Sequence, residues 1–180
     1  MTEPRSQPLV LVAMGGHAFM GEGEAGTIQD HERHADRIAA LLMDLVRRDF
    51  DLVITHGNGP QVGTLLLQNE VARNEAPPMP LDVLVAMTEG SLGYILQQSL
   101  LNQLRAAEVR RYVVTMVTQV QVEEDDPAFA DPAKPIGPFL TREDALHRRE
   151  TLGWIVREDA GRGWRRCAVR CRCTGWCWSS

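Results

Sequence analysis

The sequence predicts an α/β fold built on a parallel sheet with helices on both faces. Three observations predict it. Short continuous apolar runs alternate with longer stretches of helical spacing. Two of those runs end in glycine-rich turns that open into helices. The composition is that of a globular chain, with 180 residues, 44% hydrophobic and 24% charged. That is one domain, or one domain with a small lobe, and it is long enough to bury a core without disulfides or metal.

The elements follow in order. Leu9–Met14 is an apolar run entering Gly15-Gly16, so it reads as a buried strand ending in a tight loop. Asp30–Phe50 reads as a helix, with Ile38, Leu41, Leu42 and Leu45 at helical spacing. Asp51–Thr55 is a second short strand running into His56-Gly57-Asn58-Gly59-Pro60. Gln61–Arg73 is helical, with its proline near the start, where proline is tolerated. Pro77-Pro78-Met79-Pro80 is a rigid connector. Leu81–Ala107 is helical with a break expected near Gly90. Tyr112–Val122, rich in β-branched residues, is expected to be a third strand. Glu123–Pro138, with four prolines, is expected to be a loop, Thr141–Arg149 a short helix and Trp154–Val156 a further strand.

Charge and hydropathy exclude several classes. The longest apolar run near the start, Leu9–Met14, is far short of the ~20 residues that span a membrane and too short for a secretory signal. A cytoplasmic, membrane-free protein is expected. Net charge is −5, but residues 161–180 hold five arginines and no acid, which leaves −10 on residues 1–160. An acidic body argues against nucleic-acid binding. Lys134 is the sole lysine against 18 arginines, so chemistry that needs an amine has one candidate.

Three constellations suggest chemistry. Ala13-Met14-Gly15-Gly16-His17 and Thr55-His56-Gly57-Asn58-Gly59-Pro60 both sit at strand ends. In a parallel sheet both turns lie at the carboxyl edge, where backbone N–H groups and a helix N-terminus can hold a phosphate-sized anion. Each turn alone could be a plain βα connection. Together, with His and Asn side chains in them, they point to an anion site. Neither is a Walker A loop. Lys134 stands in Pro132-Ala133-Lys134-Pro135, a rigid frame that suits charge stabilisation of a transferred phosphoryl group, against the alternative of an exposed turn lysine. Asp159–Arg166 reads either as a phosphate-binding arginine turn or as a basic surface turn. His31 and His34 read as solvated, and Asp125 and Asp126 as exposed loop acids.

These motifs resemble carbamate kinase, of the amino-acid-kinase superfamily. The resemblance rests on Ala13–Gly16, on Thr55–Gly63, on Ala86–Gly90 with Gly93-Tyr94, on Asp126–Phe129, on Lys134–Pro138 and on Glu158–Arg166. It runs in order over about residues 8–166, and His-Gly-Asn-Gly-Pro-Gln-Val-Gly is its most specific element. It implies a three-layer αβα sandwich with a mainly parallel sheet and a small protruding lobe at about 122–152. Residues 1–166 would be the carbamate-side half of that domain, with the second half absent. It implies reversible phosphoryl transfer between ATP and carbamate with Mg²⁺, often run from ADP and carbamoyl phosphate in arginine or agmatine breakdown, in a cytoplasmic homodimer. Gly15, Gly16, His17, Gly57, Asn58 and Gly59 would bind carbamate and phosphoryl, and Lys134 would act on the phosphoryl oxygens. His17 stands where the family usually has Asn, which implies a shifted pH optimum. The family's nucleotide pocket belongs to its second half, so little or no turnover is expected of these 180 residues. The alternatives are a non-catalytic dimerisation or binding fragment and a related amino-acid kinase with another acceptor.

The tail breaks the pattern. Cys167, Cys171, Cys173 and Cys177, with Trp176 and Trp178, crowd the last 14 residues. Residues 167–180 read as out-of-frame translation of GC-rich DNA. Shifting GC-rich codons for Val169–Ser179 by two bases gives Pro-Leu-Pro-Leu-His-Gly-Leu-Val-Leu-Glu, which resembles the family's next strand. A zinc site is the competing reading, but C-x3-C-x-C-x3-C is not the usual ligand spacing.

Overall fold

The computed structural model describes residues 7–21, 23–119, 123 and 125–167. The chain divides into two compact units, one of Met1–Asn58 with Glu89–Met116 and one of Gly59–Thr88 with Val117–Ser180. The tail residues 168–180, and with them both readings of the cysteine cluster, lie outside the described residues.

The first unit pairs strands β1 (Leu9–Met14) and β2 (Asp51–His56) in parallel, from Leu9↔Asp51 to Met14↔His56. Helix α1 (Ile28–Arg47) joins them. It starts ahead of the expected Asp30 because Thr27 caps it. The Asp30 N–H donates to Thr27 Oγ1 at 3.2 Å, and the Thr27 N–H donates to Asp30 Oδ2 at 2.9 Å. Helix α2 (Gly59–Val71) follows β2, and helix α3 (Leu81–Ala106) follows the proline connector.

The strand pleat sorts the side chains. Val12, Met14, Leu52 and Ile54 point to a core of Phe19, Ala35, Ala39 and Leu42 with Leu92, Ile95, Leu96 and Leu100 of α3. Burying each large apolar side chain contributes about 1.5–3 kcal/mol. Met43, Val46 and Leu104 extend this core. Leu9, Leu11 and Val53 alternate to the opposite face and are exposed.

Two expectations are corrected here. Helix α3 runs unbroken through Gly90. A mid-helix glycine costs about 1 kcal/mol, and the apolar residues buried on both sides of it outweigh that. Tyr112–Met116 forms no strand among the described residues, and 120–122 lie outside them. β-Branched residues favour an extended backbone, but a strand also needs an edge to pair with. Side chains hold the segment instead. Gln97 Nε2 donates to the Val113 carbonyl at 3.0 Å, and Thr115 Oγ1 donates to Gln97 Oε1 at 2.8 Å. Gly93 of α3 permits this approach, since a Cβ there would lie 2.3 Å from Thr115 Cγ2.

The second unit holds α2, the start of α3, strand β3 (Pro135–Leu140), helix α4 (Arg142–Leu152), and strands β4 (Val156–Glu158) and β5 (Trp164–Cys167). The sheet is antiparallel in the order β3-β5-β4. The expected loop at Glu123–Pro138 therefore ends in a strand. Its prolines fit because β3 is an edge, and its register shifts between Ile136 and Leu140, where Gly137 has φ +78°. The further strand lies at β4, slightly beyond the expected Trp154–Val156. The small sheet runs past residue 152, and β5 takes in the buried Cys167. Val62, Leu66, Leu84, Val85 and Ile136 form this unit's core. Among the described residues no helix is long and apolar enough to cross a membrane.

Candidate active site

The two glycine turns meet. Strand β1 ends at Met14, Gly15 is extended, and Gly16–Phe19 makes one 3₁₀ turn closed by the Ala18 N–H on the Gly15 carbonyl at 3.0 Å. Strand β2 ends at His56, and the Gly57 N–H donates to the Met14 carbonyl at 2.9 Å. A Cβ on Gly57 would lie 3.3 Å from the Gly16 N, so a side chain there would push the turns apart. The parallel register sets this contact, because Met14 and His56 are partners and their strands end side by side.

Space opens over the glycines. A Cβ built on Gly15 meets nothing within 4 Å, and the same holds at Gly59, the first residue of α2. Gly16 is buried and His17 exposed. Asn58 is only 4% exposed. His56 is half-buried, edge-on to Phe19 with ring centroids 5.5 Å apart. Burial holds its imidazole below the ordinary pKa, weakly opposed by the Gly57 carbonyl, so it is neutral at pH 7. Two converging turns of N–H donors, without a fixed negative charge in either, can receive an oxyanion.

Lys134 belongs to the second unit. It is exposed and immediately precedes β3. Pro132 beside it is fully buried, so the proline frame anchors the backbone while the lysine stays at the surface. Asp126 caps the short turn Pro127–Phe129 by accepting from the Ala128 N–H at 2.8 Å.

Ion pairs and ring contacts hold the arginine turn. Arg165 and Arg162 pair with Asp159 at 3.1 and 3.2 Å, and both stack over Phe139. Arg165 heads the causes that hold the Asp159 carboxyl below its ordinary pKa. Arg166 lies over Trp154 and 3.7 Å from Glu70. His34 Nε2 lies 2.8 Å from Glu24 Oε2, so it serves the packing of the loop before α1. Among the described residues no group of three His, Cys, Asp or Glu is placed to hold a metal ion.

Sequence reasoning gave no role to Thr88 and Glu89, although they sit in the Ala86–Gly90 motif. Both are buried in α3. Thr88 Oγ1 donates within the helix to the Leu84 and Val85 carbonyls. The available signal was an acid in an otherwise apolar helical stretch.

Known proteins share this architecture. No protein-family model matches the chain. The carbamate kinase of Pyrococcus horikoshii is 43% identical over 159 residues, covering 87% of this chain and 51% of the relative. The structure of carbamate kinase from Giardia lamblia bound to citric acid superposes with a TM-score of 0.82 at 36% identity, covering 91% of this chain and 53% of that one. The same enzyme bound to AMP-PNP gives 0.77 at 37% identity, covering 91% and 52%. The chain thus spans about half the length of the curated relatives it matches. It has carbamate kinase homologues at 43–45% identity over 87% of its length, and it corresponds to their N-terminal portion.

Proposed function

We propose that this chain is the acceptor-side half of a carbamate kinase, the part that binds carbamate or carbamoyl phosphate while a phosphoryl group passes to or from ATP. One observation supports it most: Gly57 packs at contact distance on Gly15-Gly16, so that two donor-rich turns share one sheet end. Backbone N–H groups of Gly15, Gly16, Gly57 and Gly59 would orient the acceptor's oxygens, with Asn58 and His17 adding side-chain donors. Lys134 would balance charge on the phosphoryl oxygens. Phosphoryl transfer needs positioning and positive charge more than covalent chemistry, and these residue types supply both.

Nucleotide use is a family property, and the Giardia lamblia relative binds AMP-PNP. Mg²⁺, when bound, would neutralise the nucleotide's phosphates. The turns here are built of N–H and amide groups, which fit an anion rather than a bare cation, so no role of this chain is routed through the metal. The homodimer and the cytoplasmic setting belong to the same proposal and rest on the family resemblance alone.

The test is a chimera joining residues 1–166 to the second half of the Pyrococcus horikoshii relative. It should form ATP from ADP and carbamoyl phosphate. Lys134→Ala should lower kcat by about 10²–10³-fold, the usual size of a lost charge-stabilising donor. The 180-residue chain alone should form none. A folded chimera without activity would overturn the reading.

A further inference from the structure

We propose that Glu89 determines specificity at the acceptor site, where its carboxylate accepts a hydrogen bond from the amino group of carbamate or carbamoyl phosphate. This role rests on the acceptor-side reading of the glycine turns.

Glu89 is 8% exposed and is the one charged residue buried among the described residues. It opens the part of α3 that belongs to the first unit. Glu89, Leu92, Leu96 and Leu100 follow one another at helical spacing and form one stripe. The three leucines are almost inaccessible and belong to the core beneath the strands. Glu89 thus carries a carboxylate where the core-facing stripe would take another apolar residue.

The direction of α3 sets its level in the fold. Leu104, near the end of the helix, belongs to a cluster with Leu52 at the start of β2. Leu92, earlier in the helix, belongs to a cluster with Phe19 and Met14, where β1 ends. The helix between these leucines rises about 18 Å, close to the length of a strand such as β2. Helix α3 therefore runs antiparallel to the strands. Glu89 stands about one turn beyond Leu92, at the carboxyl edge with Gly15-Gly16 and Gly57-Asn58. A helical Cβ leans toward the helix N-terminus, which carries the Glu89 side chain further toward that edge.

Chemistry sets Glu89 apart from the turns. Their N–H groups are donors, which suit the oxygens of the acceptor. The amino group of carbamate is itself a donor and needs an acceptor. A carboxylate only accepts, and its two oxygens have about four lone-pair sites, enough for a substrate N–H beside its bonds within the protein. Asn58, also buried, has an amide that both donates and accepts. Glu89 is the fixed acceptor of this set. An acetyl group has a methyl where a carbamoyl group has its amino group. It would set that methyl against a buried carboxylate, which such a site rejects.

The experiment titrates the 180-residue chain with carbamoyl phosphate and, separately, with acetyl phosphate, following the amides of Gly15 and Gly57 by NMR. The chain should bind carbamoyl phosphate more tightly by about tenfold or more, the size of a hydrogen bond to a charged group. Glu89→Leu continues the apolar stripe, so the fold should stand while the two dissociation constants become nearly equal. Glu89→Gln retains a neutral carbonyl acceptor, and it should retain a preference smaller than that of the parent chain. A residue that only braced the helix would change both constants by the same factor, so their ratio reads recognition apart from structure. Equal binding by the parent chain, a ratio unchanged in Glu89→Leu or, if that variant does not fold, a ratio unchanged in Glu89→Gln would each overturn the role of Glu89 and leave the acceptor site standing. Failure of both acyl phosphates to shift either turn would overturn the acceptor reading and this role with it.

Discussion

The two units of this chain are held by different forces. The first rests on apolar burial, with Phe19, Ala35, Ala39, Leu92 and Leu96 almost inaccessible between helices and a parallel strand pair. The second has a smaller apolar cluster and fastens its sheet with arginines on aromatic rings, Arg162 and Arg165 over Phe139, Arg148 and Arg166 over Trp154. The candidate residues divide the same way. Backbone donors need fixed positions, and close packing of Gly57 on Gly15-Gly16 supplies them. A lysine acting as a point charge needs only an anchored backbone, and buried Pro132 supplies that. Precision is built where the core is tight, and charge is presented where the surface is polar.

Substitutions can break this contrast. The largest effect should come from Phe19→Ala, which empties a fully buried site and removes the ring against His56. A loss of about 3–5 kcal/mol is expected in urea denaturation followed by circular dichroism. In the second unit the weak point is backbone contact. A Cβ on Gly63 would lie 2.6 Å from Gly137 Cα, so Gly63→Ala should cost about 1–3 kcal/mol, read from tryptophan fluorescence of Trp154 and Trp164.

Acid should weaken the first unit through His56. Burial lowers its folded pKa, so the unfolded chain takes up the proton more readily. Stability should therefore fall as pH drops through the unfolded value of about 6.5 and level off below the folded one. His56→Gln should remove that part of the slope in denaturation series from pH 8 to 5. The acids before α1 titrate lower. The Gly21 N–H first, then Arg33, hold Glu24 at about 2, so their contribution is lost only as pH falls below about 4.5. The smallest effect should be Arg162→Ala. Its pair with Asp159 is solvent-exposed on the arginine side and Arg165 also covers the Phe139 ring, so a loss of at most about 1 kcal/mol is expected in the same fluorescence assay.

Much of the first unit was legible in the sequence. β1 and β2 show as short apolar runs and α1 by its helical spacing, and the turns after Met14 and His56 announce themselves through glycine, but the exposure of Leu9, Leu11 and Leu41 is legible only in the structure. The register that joins those turns was not written in either one. It comes from the pairing of Leu9 with Asp51 onward. Tyr112–Met116 shows the limit from the other side, since its β-branched residues predict a strand and no ladder forms there among the described residues. Pairing depends on a neighbour, and none stands beside it among the described residues. In β3 the prolines masked a strand, because edge position excuses a missing N–H and the sequence does not display edges. The arginine turn stayed ambiguous for a similar reason, since only the fold sets Arg165 and Arg162 on Asp159.

The most direct measurement is a titration of the 180-residue chain with carbamoyl phosphate, following each backbone amide by NMR. Gly15→Ala is the informative variant. Its backbone is extended with φ −77°, which alanine adopts readily, and a Cβ there meets nothing, so the fold should stand while the methyl occupies the anion's approach. The amides of Gly15, Gly16 and His17 should shift together with those of Gly57, Asn58 and Gly59, with a single dissociation constant. Gly15→Ala should weaken both sets equally, by about tenfold or ~1.4 kcal/mol. Shifts confined to one turn, or a Gly15→Ala chain that binds unchanged, would contradict the claim that the two turns form one site.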